Sequence, residues 1–64
     1  MHPKTVYARV QDCDKALKTL RGSGFEYMAQ VKREERSRWI HELHRQSSQG
    51  VAEATKFLKM LKQL

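Results

Sequence analysis

Apolar residues recur at steps of three and four along most of this chain, and that rhythm constrains its fold more than any other feature. Val6, Val10, Cys13, Leu17 and Leu20 form one such stripe, with Lys15 and Lys18 on the opposite side. Val51, Ala54, Leu58 and Leu61 form another, widened by Phe57, Met60 and Leu64, with Lys56, Lys59 and Lys62 opposite. Between them, Phe25, Met28 and Val31 share a helical face, and Trp39, Ile40 and Leu43 resume it after the polar stretch Lys32–Arg38.

The breakers Gly22-Ser23-Gly24 and Ser47-Ser48-Gln49-Gly50 cut the chain into three blocks. The first block is expected to be helix from about residue 11. Residues 4–10 are either its first turns or an extended arm, in which case Asp12 is the N-cap. Gly22 is the expected C′ residue. In the second block, Ser23 and Glu26 have the spacing of a capping box. The polar stretch there favours a short helix over 24–31, a turn or kink near 32–34 and a helix over 34–46, with one continuous helix as the alternative. The third block is read as a helix opened by Gly50 as N-cap. Its wide apolar face suits a central helix touching two neighbours, or a helix that leaves part of its face for a second chain.

The expected architecture is all-α: one domain over residues 1–64, a bundle of three or four short helices. The expected core is Leu17, Leu20, Phe25, Met28, Trp39, Ile40, Leu43, Leu58 and Leu61. A chain of 64 residues buries little surface and gains from a staple. The single cysteine, Cys13, cannot form an internal disulfide, which favours a reducing, cytoplasmic setting. No apolar run approaches the roughly 20 residues of a membrane span, and none follows Met1–Lys4 as a signal peptide would require.

Catalytic chemistry has little to build on. His41 and His44 share a face, but three residues apart is not the zincin spacing, and further metal ligands are scattered. Cys13 lies in an apolar stripe with no base near it in sequence. No serine sits in an elbow motif, no phosphate loop exists, and a chain this small has little room for a pocket of about 300 Å3. The expectation is therefore a non-enzyme with no catalytic residues, cofactor or metal.

What remains is charge. The net charge of +6 points to an anionic partner. The positive charge is spread along the chain and mixed with acids, which favours an acidic protein surface over nucleic acid. The expected partner-binding residues are Arg33, Arg36 and Arg38 with Lys56 and Lys59, and the edge of Phe57 and Met60. The alternative is a nucleic-acid-binding protein of low sequence specificity, in which helix 34–46, turn Ser47–Gly50 and helix 51–64 act as a helix-turn-helix. Gln49, Glu53, Lys56 and Lys59 would then be its exposed readers. Trp39 is expected in the core, or else as an interface anchor. Homodimerisation to complete the core is compatible with either reading.

Phe25, Met28, Arg33 to Arg36, Trp39-Ile40 and Met60-Leu61, with Asp12 to Leu17 before them, give the chain a resemblance to a known family. Over roughly residues 10–61 it resembles the small helical domain at the C-terminus of YdeI/OmpD-associated (bacteriocin-protection) proteins. It departs from that pattern at Ser47-Ser48-Gln49-Gly50-Val51, where the family has a threonine-arginine pair and a further arginine, and in lacking the β domain that commonly precedes. The resemblance implies a bacterial helical module linked to envelope-stress resistance, with no catalytic site and no functional residues to carry over.

Overall fold

The computed structural model describes residues 1–22 and 24–64. It has three helices: α1 (Pro3–Thr19), α2 (Glu26–Ser48) and α3 (Ala52–Met60). α1 and α2 form a long hairpin, and α3 packs against both at one end, giving extents of 42 × 19 × 16 Å.

α1 begins eight residues earlier than about residue 11, so the N-terminal residues are helix and not an extended arm. Two local features start it. Pro3 occupies the first helical position, where its missing N–H costs nothing. His2, in an extended conformation, caps the turn with its Nδ1 accepting the Lys4 N–H at 3.1 Å. The far end closes at Leu20, whose N–H bonds to the Ala16 carbonyl at 3.0 Å. Gly22 has the positive φ expected of a helix stop, +98°, but lies two residues beyond that cap instead of at C′.

α2 runs 23 residues without a break, which corrects the expected turn near 32–34. The polar stretch contains neither Gly nor Pro and consists mostly of good helix formers. It is polar because of what it faces. Arg36 Nε donates to Asp14 Oδ1 of α1 at 2.6 Å, and Lys32 pairs with Glu35 beside Cys13. Glu26 is the first residue of α2, and its carboxylate accepts the Gly24 N–H at 2.8 Å. The capping box itself falls on Ser23, outside the described residues.

Gly50 is not the N-cap of α3; Val51 is. Gly50 instead closes α2 in a Schellman motif. The Gly50 N–H bonds to the Ser47 carbonyl at 3.0 Å and the Val51 N–H to the Gln46 carbonyl at 3.0 Å, with Gly50 at φ +89°. α3 ends in the same way, earlier than its apolar stripe. Lys62 stands at φ +58° with its N–H on Lys59 O, and the Gln63 N–H bonds to Leu58 O at 2.9 Å.

The core is Val6, Val10, Ile40, Leu43, Ala54 and Leu58, flanked by Trp39, Val51, Phe57 and Leu61. Cys13 and Ala29 are buried beyond it along the hairpin. Two residues expected inside are outside: Phe25 is 43% exposed and Met28 52%. Leu17, Leu20, Trp39 and Leu61 are only partly buried. The reason is reach. Nine residues of α3 span about 14 Å and 23 residues of α2 about 35 Å, so no third helix covers the hairpin tip. α3 does touch two neighbours. Its Phe57 ring stacks on Tyr7 of α1 with centroids 4.4 Å apart, and Thr55 shares a hydrogen bond with Ser47 of α2 at 2.5 Å.

Candidate partner-binding surface

Helical geometry splits the expected basic face. Arg33 and Arg38 are both exposed, but five residues on a helix turn them about 140° apart. Arg36 is half-buried and held by Asp14. The three arginines therefore do not form one surface, and Arg36 is occupied within the chain. Phe57, also expected at the surface, is partly buried in its stack on Tyr7.

α3 does bring three of the expected residues together. Ala54 and Leu58 are fully buried and fix which side of α3 faces the hairpin. Lys56, Lys59 and Met60 lie on the other side, at helical spacing of three and one. All three are exposed, Met60 at 55%. Glu53 and Gln49, which the helix-turn-helix reading requires outside, are exposed as well. The turn before α3 is the Gly50 motif.

Three of the 13 Lys and Arg side chains, Lys32, Arg36 and Arg45, hold ion pairs; the other ten hold none among the described residues. Arg45 and Glu42 make a forked pair one turn apart. The hydrogen bond from Arg45 holds the Glu42 carboxyl below its ordinary range, and the same bond pushes the Arg45 guanidinium up. Positive charge is thus left uncompensated on all three helices, including the outer side of α3.

Cys13 is buried, with its Sγ 4.0 Å from Glu35 Oε2. Burial pushes its thiol up from the ordinary value, and the Glu35 charge adds to that. Both effects keep it protonated, the opposite of what activates a cysteine nucleophile. His41 is exposed and His44 half-exposed. Among the described residues no group of three or more His, Cys, Asp and Glu side chains is placed to hold a metal ion. The surface has depressions larger than the length of the chain suggests, one of them about 440 Å3, but they are shallow furrows between surface side chains. One of about 430 Å3 lies beside Trp39, bounded by Glu35, Arg38 and Glu42. Trp39 is partly buried, packing against the core and also lining this groove.

Sequence reasoning missed Gln46, a buried side chain in the last turns of α2 whose Nε2 donates to the Met1 carbonyl at 2.7 Å. Nothing local marks it, because its partner is 45 residues away. It also passed over Tyr27, the most exposed aromatic residue at 80%. Among the described residues, no helix is long and apolar enough to cross a membrane. No protein-family model, curated protein or solved structure matches this chain.

Proposed function

We propose that this chain is a small non-enzymatic regulatory or adaptor protein that docks on an acidic surface of a partner protein through a basic helical face. The face is the outer side of α3, with Lys56 and Lys59 meeting carboxylates and Met60 packing between them. One observation carries the reading: these three side chains share the side of α3 turned away from Ala54 and Leu58, and neither lysine has an ion-pair partner among the described residues. Arg33 and Arg38 are exposed cations elsewhere on α2 and add to long-range attraction. The lone Cys13 is in keeping with a cytoplasmic setting.

Nucleic-acid binding is the second reading, favoured by the ten cations that hold no ion pair among the described residues and are spread along the whole chain. Two features count against it. Met60 gains from burial against a protein and nothing from a phosphate. The cations of the α3 face are lysines, which serve as point charges and do not read base edges in the forked manner of arginine.

Fluorescence anisotropy with labelled duplex and single-stranded DNA at about 50 and about 200 mM salt separates the readings. Some six phosphate contacts would weaken binding about a thousandfold over that range. The expected result is no tight DNA binding at the lower salt. A protein captured by the wild type should be lost by Lys56→Glu/Lys59→Glu, with nuclease treatment making no difference. Tight low-salt DNA binding that collapses with salt would overturn the protein-docking reading.

A further inference from the structure

α2 carries a second stripe besides the one that enters the core. Met28, Lys32, Glu35, Trp39, Glu42 and Gln46 follow one another at steps of four, three, four, three and four. This is the spacing of a coiled-coil seam, which keeps residues on one strip of a helix. At one end the strip is closed, since Gln46 is buried and donates to the carbonyl of Met1, just ahead of α1. Towards the hairpin tip it is partly open. Met28 is 52% exposed, and the Lys32 and Glu35 side chains are 36% and 40% exposed. Trp39 borders the groove of about 430 Å3 between Glu35, Arg38 and Glu42.

The strip is complementary to itself. Met28 and Trp39 are centred on the point between Arg33 and Glu34, and so are Lys32 and Glu35. A two-fold axis through that point, with two α2 helices antiparallel, sets Met28 of each copy against Trp39 of the other and Lys32 against Glu35. A parallel pairing in register would set lysine on lysine and glutamate on glutamate. We infer that a second copy of this chain docks on this strip, pairing the α2 helices antiparallel, with Met28 of each copy seated in the groove beside Trp39 of the other.

The flexible thioether suits an irregular groove bounded by an aromatic ring. Lys32 and Glu35, already paired within each chain at 3.4 Å, become a four-charge cluster at the axis. A standard interface takes about 800 Å2 from each partner, roughly one-sixth of this chain's 4702 Å2. The seam from Met28 to Glu42 is about 21 Å long. It therefore falls at the small end of such interfaces, where weak, reversible association is the rule. The outer face of α3 takes no part, so dimerisation goes beyond the proposed docking function and leaves it free to operate.

Sedimentation equilibrium of the full chain from about 1 µM to about 1 mM tests this, with the emission of its single tryptophan followed over the same range. The mass should pass from monomer to dimer, and Trp39 emission should shift to the blue with the same midpoint. Met28→Glu should weaken the dimer at least about tenfold. Lys32→Glu should weaken it also, and Lys32→Glu/Glu35→Lys should restore it. Lys56→Glu/Lys59→Glu should leave it unchanged. Circular dichroism of each variant checks that the helices persist. A monomer throughout overturns the inference and leaves the strip for a helix of another protein. A dimer indifferent to Met28→Glu, or a charge exchange that fails to restore it, overturns it equally.

Discussion

Gln46→Met should stabilise this protein. The Gln46 side chain is 5% exposed, and its amide makes one hydrogen bond, from Nε2 to the Met1 carbonyl at 2.7 Å. Its Oε1 is buried with no partner among the described residues. A buried acceptor left unpaired costs about 1–3 kcal/mol, whereas a made hydrogen bond contributes only about 0.5–1.5 kcal/mol net. Methionine has the same length and no branch, keeps helix propensity and fills the same space with apolar atoms. Met1 is 66% exposed, so its freed carbonyl can turn to water. The balance is a gain of about 1 kcal/mol, which for a domain this small raises Tm by about 4–8 °C. Thermal unfolding followed by circular dichroism measures it. Gln46→Ala is the packing control, and its cavity should cost about 2–3 kcal/mol. A fall in Tm for Gln46→Met would refute the reasoning. It would mean either that Oε1 is satisfied after all or that the bond to Met1 anchors α1 more strongly than a single hydrogen bond does.

Lys62→Gly should stabilise by about 0.5–1 kcal/mol, because Lys62 holds the left-handed C′ position at φ +58° that glycine occupies without strain; urea unfolding reads it out. Phe57→Leu should lower stability by about 1 kcal/mol through loss of the Tyr7 stack, while partner binding stays as in the wild type, since the ring is engaged within the chain. Cys13 has a raised thiol pKa in the fold, so unfolding favours its ionisation. Its contribution to stability is therefore complete below the unfolded thiol value of about 8.5 and is lost as pH rises towards the higher folded value. Urea midpoints measured as pH rises from about 7 through the unfolded thiol value of about 8.5 and beyond should fall more steeply in the wild type than in Cys13→Ala. Alkylation of the native thiol by iodoacetamide at neutral pH should be slow compared with the urea-unfolded chain.

The surface expected to bind a partner was partly legible. Lys56, Lys59 and Met60 are near neighbours within one helix, so their spacing alone put them together. Arg33, Arg36 and Arg38 also looked like a cluster, but closeness in sequence is not a shared face. Their separation was readable from helix geometry once α2 was known to be continuous. The capture of Arg36 by Asp14 was not readable, because 22 residues separate the two. The seam of Met28, Lys32, Glu35 and Trp39 was present in the sequence as steps of four, three and four. It was hidden because half its members are charged, and an apolar pattern does not count them.

By itself the sequence determined the helical class, the three blocks and the glycines at their junctions. These depend on neighbours within a few residues, which backbone geometry and side-chain spacing fix locally. It also determined that no disulfide could staple the chain. Tertiary structure decided which apolar stripes are core. Phe25 and Met28 have the periodicity of buried residues and lie at the surface, while Val6, Val10 and Ala54 hold the centre. It decided too what the polar run 32–38 faces, since Asp14 and Cys13 lie across the hairpin from it. Burial depends on how far another helix extends, and a periodic pattern carries no information about that. Here the third helix stops after nine residues at Met60, and everything at the hairpin tip follows from that length.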